Sequence, residues 1–161
     1  MSKSKQELEK AQIILQESKA RLTSSKNSSE QLENKISHFS NLCIASIGGL
    51  IIAISFVKGL IFFKISLFIL TVGFIHSLIN LLKLKKTNKF ASDGLEASTI
   101  IDSNSNDNAS LLRRLALTYE DKASHNYKLT EKIANNFDKV LLNIEKYVVF
   151  SALVLLLGFI L

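Results

Sequence analysis

The chain has 161 residues, a formal net charge of +6, one cysteine and no proline. A single cysteine excludes an intrachain disulfide and a Cys-based metal site, and no proline with only six glycines favours uninterrupted helices over sheets and their turns. The positive excess is spread thinly, seven Lys/Arg against five acids in residues 1–38 and eleven against nine in residues 83–146, which suits a membrane surface better than a groove for a nucleic-acid duplex; no such duplex is expected as partner.

Residues 3–41 read as one long helix. With Leu8 at heptad position a, the a series is Leu8, Leu15, Leu22, Ser29, Ile36 and Cys43, and the d series is Ala11, Ser18, Ser25, Leu32, Phe39 and Ser46. This coiled-coil spacing enters the next segment without a phase break. Serines at d weaken a parallel homodimer, so packing against helices of the same chain or within a ring of subunits fits better. A solvated amphipathic helix leading to the membrane is the other reading. A signal peptide is not expected, because the first apolar run lies behind this long polar helix.

The next stretch, Phe39 to Leu82, carries only Lys58 and Lys64 as charged side chains. Phe39 to Val57 gives nineteen residues and Leu60 to Leu82 gives twenty-three, and roughly 20 helical residues cross a hydrocarbon core. The expectation is a transmembrane helical hairpin turning at Lys58-Gly59, with Lys64 extending its ammonium back toward the headgroups. A buried pair of soluble helices fits less well, since such helices seldom stay apolar on every face.

Two features of the hairpin point to packing and function. Ala45, Gly49 and Ala53 form a small-residue ridge at spacing four, and Gly73 is followed by Ser77 on the second helix. Such residues let helix backbones approach in lipid, either within the hairpin or between subunits. His76, Ser77 and Asn80 are costly in hydrocarbon. They either line a pore or already sit at the interface.

Lys83, Lys85, Lys86 and Lys89 follow the second run, against Lys58 alone at the hairpin turn. The positive-inside rule then puts both soluble segments, the N-terminal helix and residues 83–146, in the cytoplasm. The helix is expected to continue to about Ile101. Asp102 to Asn108 then breaks it; Asp107 and Arg113 stand where a calcium loop needs Gly and a bidentate Glu, so no metal is expected there.

Residues 109–146 form another long helix, with the stripe Leu112, Ala116, Tyr119, Ala123 and Tyr127, then Thr130, Ile133, Phe137, Val140 and Ile144. This stripe should pack back onto the 3–41 and 83–101 helices as an antiparallel bundle. Arg113 and Arg114 open this helix near its N-terminus, where they are candidate ligands for an anion or simply solvated. Tyr147 to Leu161 is apolar after Lys146, but fifteen residues span only about 22 Å. It reads as a short third membrane-inserted helix.

No catalytic set is visible. His38, His76 and His125 lie in three separate segments without a carboxylate pair at helical spacing, and neither a phosphate-cradling glycine loop nor HExxH is present, so no enzyme and no cofactor is expected. The fold class predicted is an all-α membrane protein. It comprises an N-terminal cytoplasmic helix (1–38), a transmembrane helical hairpin (39–82), a long cytoplasmic helical region (83–146) and a short C-terminal membrane helix (147–161), and it assembles as a homo-oligomer.

The layout resembles the SLATT families, small membrane effectors of bacterial antiphage systems. The features that carry it are the paired run Phe39–Leu82 and the downstream helix with Leu111-Leu-Arg-Arg-Leu-Ala-Leu-Thr-Tyr119, continuing to Tyr127. The long N-terminal helix and the third membrane helix are similar to the variant paired with a nucleotidyltransferase in Hailong-type defence. The resemblance implies a homo-oligomeric pore, such as a tetramer, in the inner membrane. It further implies gating by a nucleotide or oligonucleotide signal and depolarisation harmful to the infected cell. A membrane-anchored helical scaffold without a pore and a holin-like lesion former are the rival expectations.

Overall fold

The computed structural model describes residues 3–57, 60–86, 90 and 108–160, with the side chains of residues 3, 4 and 159 outside that description. Among the described residues there are three helices and no strand: α1 Lys3–Phe56, α2 Ile61–Lys86 and α3 Asn108–Ile160. The all-helical expectation holds. The heptad pattern of residues 3–41 and the first apolar run are one helix, as the unbroken phase required. The 109–146 stripe and the apolar end likewise form one helix. The continuation of α2 to Ile101 and the turn at Asp102 to Asp107 lie outside the described residues.

All three helices are long and apolar enough to cross a membrane. Two compact units are present, one formed by Met1–Gln31 with Lys89–Glu131, the other by Leu32–Asn88 with Lys132–Leu161.

In the first unit, α1 buries Ala11, Ser18, Leu22, Ser25 and Ser29, and α3 buries Ala109, Ala116, Ala123 and Asn126. Small side chains at nearly every seam position let the two backbones come close. The serines do not leave bare hydroxyls: Ser18 bonds the Ile14 carbonyl at 2.9 Å, Ser25 that of Leu22 at 2.7 Å and Ser29 that of Ser25 at 2.9 Å. Each donor is satisfied within its own helix, so burial carries little penalty.

The pairing direction corrects the antiparallel expectation for α1 against α3, while the part of that bundle assigned to 87–89 and 91–101 lies outside the described residues. Lys19 lies over the Tyr119 ring at 5.7 Å, Arg21 bonds Glu120 at 2.6 Å, and Ser29 meets Thr130 at 2.8 Å. The numbers rise together, so these parts of α1 and α3 run parallel. The α3 seam also differs from the expected stripe at one place. A strict heptad selects Asn126, which is buried, and leaves Tyr127 exposed at 44%; the step of four from Ala123 to Tyr127 overshoots a 3.5-residue period.

In the second unit, α2 runs antiparallel to α3. Ser66 and Ser151 lie side by side, each hydroxyl about 3 Å from the other's carbonyl, and Gly73 faces Tyr147 while Gly158 faces Phe62. A Cβ added at Gly73 would stand 2.5 Å from Tyr147 Cγ, and one at Gly158 would stand 2.5 Å from Phe62 Cβ. Both glycines are therefore contact points where a ring takes the space of a side chain. Phe39 on α1 meets Phe137 on α3 edge-on, with centroids 5.3 Å apart.

Along the apolar runs of this unit the outer surface is largely apolar, with the charged side chains gathered mostly on its other stretches, such as Lys83, Lys85, Lys86, Asp138 and Lys139. Ile52, Phe56, Phe68 and Leu156 are exposed by 59%, 80%, 63% and 57%, whereas Ser40, Ser66, Ser77 and Ser151 are buried. A water-soluble helix pair would invert this arrangement. It is compatible with a hydrocarbon surround.

Candidate functional site

The small-residue positions separate into two sets. Gly73 is buried and filled by its own chain's Tyr147. Ala45 and Gly49 are exposed, Ala53 is half-buried, and both Gly48 and Gly49 have open space where a Cβ would point. Packing inside the chain therefore accounts for Gly73 and leaves the Ala45–Gly49 ridge uncovered.

The three polar residues of α2 separate as well. Ser77 is buried to 1% exposure, with no hydrogen-bond partner for its hydroxyl among the described residues. It sits in the packing interior beside Gly73 and Leu81 in the helical register, not on an outer face. His76 and Asn80 lie on the outer side of α2, one helical turn apart, with Asn80 Nδ2 3.2 Å from His76 Nε2. When the amide donates to Nε2, the neutral ring carries its proton on Nδ1. The His76 ring also meets Tyr147 edge-on at 6.2 Å between centroids.

Next to this pair a cleft of about 290 Å³ opens between α2 and α3, lined by His76, Asn143, Lys146, Tyr147 and Phe150. The four α3 residues fall at 143, 146, 147 and 150, one side of a helix by the spacing of three and four. Asn143 and Lys146 are functional candidates that the sequence alone did not single out. Lys146 marks the start of the apolar end there, and only the fold shows that it shares a cleft with His76.

At the other end of α3, Arg113 and Arg114 are both exposed, and neither is ion-paired among the described residues. As neighbours in a helix they diverge by about 100°, so the two do not converge on one ligand unaided. The Arg21–Glu120 pair borders a second, shallow cleft of about 240 Å³ with Tyr127, Lys128 and Glu131. Its charges are balanced, which gives an anion no preference there. Among the described residues no group of three or more metal-ligating side chains is assembled.

No family model matches the chain, and no curated protein and no solved structure matches it either.

Proposed function

We propose that this protein is a homo-oligomeric ion channel of the bacterial inner membrane, with both soluble segments in the cytoplasm. In this reading it is an effector of antiphage defence, gated by a nucleotide signal from a partner nucleotidyltransferase, and its opening depolarises the membrane. The observation that carries the reading is the open ridge at Ala45, Gly48 and Gly49. In lipid, helices associate through such close-packing surfaces and not through hydrophobicity. Gly73 and Gly158 are already occupied by rings of the same chain, so among the described glycines Gly48 and Gly49 are left open for a second subunit. The outward polar residues His76, Asn80, Asn143 and Lys146 would be costly against bare hydrocarbon and call for water, a second subunit or a polar headgroup beside them.

Planar-bilayer recording on the purified protein, with its mass measured in detergent, tests this. Discrete unitary currents from a species of several subunits are expected; a silent monomer sinks the reading. The scaffold reading draws on Ile13, Ile14 and Leu117, exposed by 53%, 45% and 64% in the first unit, as a surface for a protein partner. Replacing residues 39–82 with an unrelated hairpin separates the two, because a scaffold keeps its protective activity in cells and a channel loses it.

A further inference from the structure

The register of α2 against α3 sets the depth of Lys146. Tyr147 packs on Gly73 and meets His76, so Lys146 lies near the His76 turn of α2. That turn precedes Lys83, the first of the three basic residues closing α2, by seven residues, or about 10 Å along the axis. On the α3 side a cation is thus held about two turns deeper than the lysines of α2, alongside the apolar residues Ile75, Leu78 and Ile79.

A cation at that depth needs a water path or an anion. The cleft has no carboxylate in its lining, which is His76, Asn143, Lys146, Tyr147 and Phe150; Glu145, the preceding residue, points about 100° away around the helix. The polar groups present can all donate: an ammonium, a carboxamide, an imidazole N–H and a phenol. Phe150 stands one turn deeper and is exposed by 55%, so the lining changes from donors to a bare ring along the direction into the apolar segment.

The geometry points to this cleft as a site for a phosphate-bearing anion, and to an anionic phospholipid as its source. The headgroup phosphate sits on Lys146 with Asn143 and His76, and the first acyl carbons run along Phe150. A free phosphate shares the charge chemistry but has no use for the exposed ring. The inference rests on membrane insertion as proposed above and not on ion conduction.

The test uses the full chain, purified in mixed micelles of phosphatidylglycerol and phosphatidylcholine, with retained lipid counted by native mass spectrometry. Wild type retains phosphatidylglycerol in preference to phosphatidylcholine. Lys146→Glu reduces that retention roughly tenfold, the worth of one hydrogen bond to a charged group. Lys146→Gln reduces it less, and Lys146→Arg keeps it. Millimolar inorganic phosphate leaves the bound lipid in place. Equal retention of the two lipids, indifference to Lys146→Glu and Lys146→Gln, or displacement by inorganic phosphate each overturns the site. A chain that partitions into the aqueous phase without detergent overturns the membrane reading itself, a result distinct from an inserted protein with no lipid preference.

Discussion

The two compact units solve helix packing with opposite surfaces. In the first, a thin seam of Ala and Ser, with Leu22 as the one large buried aliphatic among the described residues, joins two helices whose outer faces carry charges such as Arg21 and Glu120. In the second, the outer face of the apolar runs is built from Ile, Leu, Phe and Val, while serines, a threonine and a glycine are buried there beside Ile36, Leu81, Ile133, Phe137 and Val140. Water rewards burying apolar area, so the first unit needs only a modest apolar seam and a polar exterior. A hydrocarbon surround gives no such reward, and close contact with interhelical hydrogen bonds has to serve instead. The Ser66–Ser151 pair and the two ring-filled glycines are contacts of the kind that requirement would favour.

Substitutions can break or sharpen this contrast. The largest effect is expected at Phe137, buried against Phe39: Phe137→Ala should cost about 3 kcal/mol by the usual loss for a core ring, read as a lower melting temperature of the helical circular-dichroism signal in detergent. An unchanged melt would mean that the second unit does not depend on its few large buried side chains. Next comes a pair of glycine variants. Gly73→Leu drives a side chain into Tyr147 and should cost about 2 kcal/mol by overpacking. Gly49→Leu enters open space and should leave the melt of the single chain alone while dissociating the proposed oligomer. Equal effects of both on the melt would refute the assignment of one to intrachain and the other to intersubunit packing.

Smaller effects separate the two units at the level of single bonds. A double-mutant cycle on Ser66→Ala and Ser151→Ala should give a coupling of about 1 kcal/mol, in the range found for hydrogen bonds between membrane helices. The same cycle on Arg21→Ala and Glu120→Ala, whose side chains are 62% and 49% exposed, should give no more than about 0.5 kcal/mol and should fade in high salt. If the exposed ion pair proves the stronger of the two, the division between a water-facing and a lipid-facing unit is mistaken.

Much of the fold was legible because its signals are periodic. The a and d positions from Leu8 to Cys43 predict the buried face of α1, and the structure buries Leu22, Ser29, Ile36 and Cys43 of the first series and Ala11, Ser18 and Ser25 of the second. The serines looked like a weakness in the seam because composition does not reveal that each can bond a carbonyl of its own helix. Tyr127 was misplaced for a related reason. An aromatic ring four residues after Ala123 fits a helical stripe as well as Asn126 does, and only the accumulated 3.5-residue phase decides between them. The candidate site was legible in part: His76 and Asn80 share an outer face, but Ser77, the residue between them in the chain, is turned inside.

The sequence by itself determined the helical character, the extent of the apolar runs and the position of every charge along them, because hydropathy and helical period are local properties. The tertiary structure alone decided which small residues are filled and which stay open, that the seams of α1 and α3 run parallel, and that Lys146 shares a cleft with His76. Those outcomes depend on register between segments distant in the chain. Register is set by how rings, glycines and hydroxyls interlock, which no single helix specifies.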